Sequence, residues 1–384
     1  MHAKNMLTVV AGLLLTGGFM AMALPARAVD TFGSNEKYRP RLFARFAGDF
    51  VNVPDGMTQD ADGNLYLSVP NFINNLYPGC IMKRAVGTGE WSVFVTGLIN
   101  PDTNRGCPMG MEMGPDGNLY YCDNQYFNSK DYKSRILKVV ICPCTGKPVK
   151  IVPVVENIKL ANAIRFYGGD LFFTDTYFDL DLKDGIGIGG VYRVPMKDFA
   201  NGPVKLLPKP DYKKDKYFVG NSETKPLPGR GGDNSGCDGL CIDRDGNLFF
   251  GTFGSGRFYT MTRKADGSYG KPELLIEDPV RFACCDGITY DPCRHCVYMT
   301  DSALNAVHKW DIATKSFSTL WRNGDTDGAD GLLDPPCEPI IWNGKLVVVN
   351  FDMAFPGLTN TENDKVHTLS VIPLCENKSN FSII

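Results

Sequence analysis

The chain carries an internal repeat that occurs six times, and this repeat restricts the possible folds more than any other feature. In its clearest copy, Asp238-Gly239 opens a short apolar strand, and Asp245-Gly246 makes the turn into a second apolar strand. An Asp-Gly pair between apolar runs is a strong hairpin signal, because both residues tolerate a positive φ. The residues that open the six copies are Asp55, Met109, Asn162, Asp238, Asp286 and Glu338.

The spacing of these residues indicates the architecture. Successive copies begin 54, 53, 76, 48 and 52 positions apart. A repeat of about 50 residues with two or more strands is typical of a β-propeller blade. We therefore predict an all-β, six-bladed β-propeller with four-stranded blades. The one long interval predicts an inserted loop at residues 205–232, which is either a solvated surface loop or a lid over the central tunnel.

Two apolar segments lie outside the repeats, at residues 41–54 and 366–373. A propeller has to cover its edge strands, and one blade commonly takes strands from both ends of the chain. We therefore predict that these two segments pair and close the last blade.

The first 28 residues resemble an export signal. His2 and Lys4 precede an apolar run at residues 6–24, and Ala26-Arg27-Ala28 follows as a signal-peptidase site. We predict cleavage after Ala28, with an uncleaved membrane anchor as the alternative. No later stretch has the ~20 apolar residues of a membrane-spanning helix. Residues 29–384 are therefore predicted to be one propeller domain that is secreted or periplasmic and is not attached to a membrane after cleavage.

The chain has 13 cysteines, all after the predicted signal. Export to an oxidising compartment favours disulfides. Cys293 and Cys296 flank a predicted turn, where a disulfide is favoured over a zinc or redox motif because no second CxxC completes a four-ligand site. We also expect at least one disulfide between blades among the cysteines near the repeat openings, or else free thiols that fill crowded inner strands. These cysteines are Cys107, Cys237, Cys284, Cys285 and Cys337.

Charge and motif content exclude several classes of function. The chain has 40 basic and 43 acidic residues and a formal net charge of −3, which argues against a nucleic-acid partner. It has no G-x-S-x-G motif, and its four histidines leave little room for a serine-hydrolase triad. A small molecule is therefore the expected partner.

The residues that open the repeats are the candidate functional residues. In a propeller, equivalent positions of the innermost strands form a ring around the central channel. Four carboxylates and an amide in one channel would repel unless protons or a cation neutralised them. Oxygen donors suit a hard divalent cation, Ca²⁺ first, with Mg²⁺, Mn²⁺ or Zn²⁺ as alternatives. The competing interpretation is that these acids only cap the ends of the blades.

Residues 238–243, with two later segments, resemble the fourth-blade signature of the senescence marker protein/gluconolactonase/regucalcin family. The later segments are Gly246-Asn247-Leu248 and Gly254-Ser255-Gly256-Arg257, and Asn162-Ala163-Ile164 adds a further match. This family consists of six-bladed propellers that hydrolyse sugar lactones with one divalent metal, usually calcium, in the tunnel. The related diisopropyl fluorophosphatase has a similar architecture.

The resemblance implies that Asp238 and Asn162 are metal ligands. Asp55 stands where the family carries a glutamate, and we take it as the third ligand. Met109 stands where the family carries an asparagine that contacts substrate or metal, which is a departure that bears on the substrate.

The resulting prediction is an exported, metal-dependent hydrolase of the lactonase type. Asp238 and Asp286 are the candidate catalytic residues, either of which would act as general base. Met109, Arg105 and Glu338 are the candidate substrate-binding residues. The alternatives are a non-catalytic binding module with a structural metal, or a hydrolase of the phosphotriesterase type.

Overall fold

Six antiparallel sheets form a ring, and the protein is a six-bladed β-propeller, as predicted. The computed structural model describes residues 34–374, apart from residues 47, 49, 75, 130, 179 and 181–184. The predicted export signal therefore lies outside the described residues. Within them, helix is limited to short 3-10 turns at Glu36–Tyr38, Met196–Phe199 and Lys209–Lys214. No helix in this part of the chain has the length and apolar character needed to cross a membrane.

The strands follow the repeats in order. Strand β1 (Arg41–Phe46) precedes the first repeat. The first blade contains β2 (Met57–Gln59), β3 (Leu65–Val69), β4 (Cys80–Arg84) and β5 (Trp91–Thr96). The second contains β6 (Pro108–Met113), β7 (Leu119–Asp123), β8 (Ser134–Ile141) and β9 (Pro148–Ile158). The third begins with β10 (Ala161–Tyr167), β11 (Asp170–Asp175) and β12 (Gly187–Pro195). After the short strand β13 (Val204–Lys205), β14 (Phe218–Thr224) completes the third blade.

The last three blades are regular. The fourth contains β15 (Cys237–Ile242), β16 (Leu248–Thr252), β17 (Phe258–Met261) and β18 (Glu273–Ile276). The fifth contains β19 (Ile288–Asp291), β20 (Cys296–Asp301), β21 (Ala306–Asp311) and β22 (Ser316–Arg322). The sixth contains β23 (Pro336–Trp342), β24 (Lys345–Asn350) and β25 (His367–Ile372). Its fourth strand is β1, which pairs antiparallel with β25, so the predicted closure by both ends of the chain is confirmed.

Residues 205–232 are more ordered than an inserted loop. Strand β13 adds to the second blade as a fifth strand, parallel to β9, and β14 is the outer strand of the third blade. Between them, Lys209 is fully buried, with its Nζ 2.7 Å from Asp175 Oδ2 and 3.1 Å from Tyr192 Oη. A solvated surface loop was one of the two predictions for this segment, but Lys209 is paired inside the protein. The prediction of a plain loop is therefore wrong for residues 205–224.

Close packing of the inner strands explains why four of the six repeats carry a glycine after the opening residue. A Cβ atom on Gly56 would overlap the carbonyl oxygen of Met109, and one on Gly239 would overlap that of Asp286. Each of these oxygens belongs to the next blade, so glycine lets adjacent inner strands approach each other around the tunnel.

The predicted disulfides are not present, because the twelve cysteines among the described residues are free thiols. Cys296 is buried in β20 whereas Cys293 is exposed in the preceding turn, so no disulfide clamps this hairpin. The cysteines near the repeat openings fill the inner strands instead. Cys237 Sγ donates to Ser222 Oγ at 3.2 Å, and Cys337 Sγ donates to the Asp55 carbonyl oxygen at 3.3 Å. They behave as small apolar residues with a weak donor.

Candidate metal and active site in the central tunnel

One end of the tunnel opens into a cavity of about 380 Å³. Five of the six residues that open the repeats line it, namely Asp55, Met109, Asn162, Asp238 and Asp286. The sequence pattern therefore located most of the cavity floor. The sixth residue, Glu338, faces the other end of the tunnel.

Irregular strand pairing turns these side chains toward the tunnel. The pairing of the first two strands shifts register around Met109, Asn162, Asp238 and Glu338. Such a bulge bends the strand and re-aims one side chain, and bulges are common beside functional sites. The ring positions therefore lie where the inner strands leave regular pairing and turn their side chains toward the tunnel.

Hydroxyl groups on the second strands hold the backbone at these positions. They belong to Ser68, Thr174 and Thr300. Gly56 N donates to Ser68 Oγ at 2.7 Å, and Ala163 N donates to Thr174 Oγ1 at 2.9 Å. Thr174 Oγ1 in turn donates to the carbonyl oxygen of Asp238 in the next blade at 2.7 Å. Sequence reasoning missed this support, although each of the three follows an apolar triplet in its strand.

Two of the acids are buried without a compensating cation. Asp238 is only 3% exposed, and its Oδ1 has no hydrogen-bond partner. Burial raises the pKa of Asp238 well above its usual range, and Asp286 and Asp55 raise it further. Burial likewise raises the pKa of Asp55, with added repulsion from Asp286 and Glu338. A carboxylate oxygen that has lost water and gained no donor favours a proton or a metal ion at this point.

Asp286 is surrounded both by groups that raise its pKa and by groups that lower it. Burial raises its pKa to about 7, while a hydrogen bond from Ser302 and the positive charge of Arg230 act in the opposite direction. Ser302 Oγ lies 2.7 Å from Asp286 Oδ2, to which it can donate, and 2.7 Å from the Pro336 carbonyl oxygen. A carboxyl group with a pKa near neutrality suits proton transfer at ordinary pH.

Met109 has an amide beside it. Asn124, which is fully buried and also lines the cavity, donates from Nδ2 to Met109 Sδ at 2.7 Å. Its Oδ1 accepts from the backbone N–H of Tyr126 at 2.9 Å. The structure therefore places an asparagine side chain next to the position where the resembled family carries one.

A buried arginine from the segment before the fourth blade forms part of the cavity wall. Arg230 is 4% exposed, and its Nη2 donates to Asp233 Oδ2 at 3.1 Å and to the Phe253 carbonyl oxygen at 3.2 Å. Its Nε and Nη1 have no hydrogen-bond partner. Residues 230–232 line the cavity, so the end of the predicted insertion does lie at the tunnel mouth. The spacing of the repeats drew attention to this segment, but no motif singled out Arg230.

Aromatic rings surround the acids on the outer side of the cavity. They come from Phe72, Tyr126, Phe127, Tyr177, Phe253, Phe351 and Phe355. Phe72 and Phe127 are tilted, with centroids 4.8 Å apart, and Phe253 and Phe355 meet edge-on at 6.1 Å. Phe351 and Phe355 are stacked, with centroids 5.8 Å apart. The wall suits a ligand with an apolar or ring-shaped body and a polar end directed at the acids.

Glu338 does not line this cavity. Its Oε1 accepts from Arg165 Nη2 at 2.7 Å, and both residues line an opening at the other end of the tunnel, together with Glu112. Burial raises the pKa of Glu338, and Arg165 counteracts that rise. The structure thus removes Glu338 from the predicted substrate-binding group, because a cation three residues beyond Asn162 on β10 pairs with it.

Arg105 is also outside the residues that line the cavity. Its Nη2 donates to the Asn71 carbonyl oxygen at 3.2 Å, and its own carbonyl accepts from Gln125 Nε2 at 3.2 Å. These contacts hold the loop before β6, so the cationic wall of the cavity is provided by Arg230 instead.

The donors in the cavity fit a hard cation. Asp55, Asn162 and Asp238 supply oxygen atoms, and the unpartnered Oδ1 of Asp238 is a ligand atom without another role. In the described part of the chain, no three acids of this cavity have ligand atoms that all lie within 4.8 Å of one another. Two carboxylates and one amide, with the remaining positions filled by water or substrate, are the oxygen donors of this cavity that would hold Ca²⁺.

Comparison with solved structures places the chain among six-bladed propellers. It is similar to luciferin-regenerating enzyme (TM-score 0.56, 13% identity, covering 87% of this chain and 94% of that chain). It is also similar to the calcium-binding protein regucalcin from Agrobacterium tumefaciens (0.52, 13%, 88% and 93%). A gluconolactonase from Xanthomonas campestris matches as well (0.51, 13%, 92% and 99%). At these identities the likeness shows the fold, and it confirms the resemblance at that level.

No protein-family model matches this sequence, and a search of curated proteins finds no significant match.

Proposed function

We propose that this protein is an exported, metal-dependent hydrolase that opens a lactone or cleaves an ester in the tunnel cavity. The observation that carries the proposal is the group of buried acids in a 380 Å³ cavity, with Asp238 Oδ1 lacking any hydrogen-bond partner. Buried acids without compensation cost stability, and such costs are typical of functional sites. The structural similarity to a gluconolactonase and to regucalcin supports the same class.

Asp55, Asn162 and Asp238 would hold the cation, with Ca²⁺ expected first and Mg²⁺ or Mn²⁺ as alternatives. When bound, a divalent cation supplies electrostatic stabilisation to a polarised carbonyl and to the oxyanion that develops from it. Asp238 is only 3% exposed, so bulk water would compete little with the cation for this carboxylate.

The remaining groups have roles that follow from their contacts. Asp286, held by Ser302, would accept the proton of the attacking water, because a cation at Asp55 and Asp238 would favour its ionised form. The water oxygen bonds to the acyl carbon, the bond to the leaving oxygen breaks, and the proton passes to that oxygen. Asp238 is the second candidate for this base, in keeping with its position beside Asp286.

Arg230 and the aromatic wall would bind the substrate. Arg230 lies in the wall, and its Nε and Nη1 groups, which have no hydrogen-bond partner, would donate to an oxygen of the substrate. Donors to charged or polarised oxygens form strong hydrogen bonds when water is excluded. The aromatic rings would contact the body of the substrate, and Met109 with Asn124 would limit its size on one side.

The test is a hydrolase screen on purified, calcium-loaded protein with δ-gluconolactone, a nitrophenyl ester and a phosphotriester. Asp238→Asn should lower kcat/KM by about 10²–10⁴-fold, because it removes a ligand and a candidate base. Asp330→Asn, a change in an exposed loop outside the cavity, is the matched control and should retain activity.

Stability measurements separate the alternatives. A cation that binds only the folded state stabilises it by about 2.7 kcal/mol at a hundredfold excess over Kd. Asp238→Asn should remove the share of that gain that comes from the tunnel, and in EDTA the variant should be as stable as the wild type or more stable. A calcium response that depends on Asp238 without turnover on any substrate would identify a binding module instead. Turnover that survives Asp238→Asn would contradict the proposal.

A further inference from the structure

A second acidic cluster lies outside the tunnel, beside the sixth blade. Asp334 precedes β23, and Asp352 and Asp364 lie in the connection between β24 and β25. One ligand atom of each carboxylate lies within 4.8 Å of the others. Among the described residues, this is the one group of three histidine, cysteine or acidic residues with that geometry.

A second observation points to a ligand in this cluster. Asp334 and Asp352 are each only 1% exposed, and Asp334 Oδ2 has no hydrogen-bond partner. Their other oxygens are occupied, since Asn360 Nδ2 donates to Asp334 Oδ1 and Asp364 N donates to Asp352 Oδ1 at 3.1 Å. A buried, unsatisfied carboxylate oxygen beside two further carboxylates is costly unless a proton or a cation occupies the space near it.

The surroundings add negative charge. Burial, together with repulsion from Asp352, Asp364, Asp325 and Asp327, raises the pKa of Asp334 to about 9. His367 is the nearby base, with its Nδ1 2.8 Å from Asp352 Oδ2. It does not join the group of mutually close ligand atoms, so the donors of the cluster are oxygens alone. Oxygen-only sites select Ca²⁺ or Mg²⁺ over zinc.

The cluster is connected to the tunnel cavity through residues 351–364. Phe351, Phe355 and Pro356, at the start of this segment, form part of the cavity wall. Farther along, Asn360 Nδ2 donates to the Thr326 carbonyl oxygen at 2.9 Å, and Thr359 N donates to the Ala303 carbonyl oxygen at 2.9 Å. Whatever occupies the acidic cluster therefore fixes a segment that shapes the mouth of the cavity.

The same segment also supports the arginine of the cavity. A Cβ atom on Gly357 would lie 2.7 Å from the Gly229 carbonyl oxygen and 3.1 Å from Arg230 Cδ. The backbone at Gly357 is thus packed directly against the residues that carry Arg230.

We propose that Asp334, Asp352 and Asp364 bind a divalent cation, Ca²⁺ by the chemistry of its donors, that fixes the 351–364 segment against the tunnel mouth. The site is independent of the proposed tunnel metal and of the proposed hydrolase activity. His367 would orient the Asp352 carboxylate from outside the ligand set, as partners of metal ligands commonly do.

The test is isothermal titration of CaCl₂ into chelator-treated, full-length protein. Asp364→Asn should weaken one class of calcium sites by about tenfold or more, since it removes a charged ligand. Asp364 is the best choice because it is only partly buried. Asp330→Asn is the matched control, because it removes the same charge from the neighbouring loop outside the cluster, and it should bind calcium like the wild type. Identical isotherms for Asp364→Asn and the wild type would overturn the proposal.

A second measurement holds even if Asp364→Asn folds poorly. In the Asp238→Asn background, which removes the proposed tunnel ligand, CaCl₂ should slow amide hydrogen exchange in residues 352–364 relative to EDTA. The same concentration of MgCl₂ should protect this segment less, because Mg²⁺ demands a more regular octahedral site. Exchange that does not respond to calcium would overturn the proposal and would leave a protonated Asp334 as the occupant of the cluster.

Discussion

The two ends of the tunnel contain buried acids at equivalent positions but neutralise them differently. Asp286 opens the fifth repeat and Glu338 opens the sixth, so the two residues are counterparts in adjacent blades. Asp286 faces the cavity and receives a hydroxyl from Ser302. Glu338 faces the opposite opening and receives a guanidinium from Arg165. The difference between a hydroxyl and a cation decides which end retains reactive carboxyl groups.

The comparison separates an acid that stabilises from an acid that is available for function. Arg165 also contacts the carbonyl oxygens of Ile164 and Ile288, at 2.7 and 3.0 Å, so its charge and donors are well used. At the cavity end, Arg230 keeps two N–H groups without partners, and Asp238 keeps an oxygen without a donor. Unsatisfied groups of both signs in one cavity are a poor arrangement for stability and a good one for binding a polar ligand.

Among the variants that test this comparison, Arg165→Met should cause the largest change, a loss of stability. The change leaves Glu338 and Glu112 buried without their cation, and breaking a buried ion pair from one side costs about 3–5 kcal/mol. Urea unfolding monitored by circular dichroism would measure the loss. Arg281→Met breaks an exposed pair with Asp278 and should cost less than about 1 kcal/mol. A loss for Arg165→Met that is no larger than the control would show that the stability of the protein does not depend on the pair of Arg165 and Glu338.

Without metal, the thermal stability of the protein should depend on pH through the acids at the cavity end of the tunnel. The pKa of Asp286 is about 7 in the folded protein, against about 3.9 for an unperturbed aspartate. The folded state therefore holds this proton more tightly, and its stabilising effect, complete below about pH 4, is lost as the pH rises toward 7. We expect the Tm in EDTA to fall over that interval, and to fall less steeply in Asp286→Asn.

Repeating the Tm measurement with calcium tests the same prediction in a second way. A bound cation stabilises the ionised carboxylates, so CaCl₂ should reduce the decline in Tm between pH 4 and pH 7. A slope that is the same in the wild type and in Asp286→Asn would show that other groups control the response. Glu112, whose pKa burial also raises to about 7, is the first of these at the opposite end.

Local sequence signals were sufficient for the fold and for most of the cavity floor. A turn glycine and a glycine at the blade contact are short-range features, so Asp55, Asp238 and Asp286 could be placed in one ring without knowledge of the packing. The direction of Glu338 could not, because it depends on Arg165, which is 173 positions away in the chain. Arg230, Ser302 and Asn124 likewise act through contacts between separate segments.

The cysteines show why a prediction from composition and cellular compartment can fail. Their number and the predicted export both favoured disulfides, but the side chains of Cys237 and Cys337 point to Ser222 and to a backbone oxygen. Composition and compartment describe what chemistry is permitted, whereas pairing requires two side chains to face each other.

Ser302→Ala should cause the smallest change of these variants, a shift in the pH profile of kcat/KM. The hydroxyl of Ser302 lies 2.7 Å from Asp286 Oδ2 and lowers the pKa of that carboxyl. A hydrogen bond to a charged group contributes about 1.5 kcal/mol or more, and one pKa unit corresponds to about 1.4 kcal/mol. The acidic limb of the pH profile of kcat/KM should therefore move upward by about one unit, with little change in the plateau.

Ser268→Ala, at an exposed turn outside the cavity, is the control and should leave the profile unchanged. A plateau that falls without a shift of the acidic limb would mean that Ser302 acts on the backbone at Pro336 and not on the ionisation of Asp286. An unchanged profile would assign the proton transfer to another group, and Asp238 would then be the base to test, because its Oδ1 has no hydrogen-bond partner.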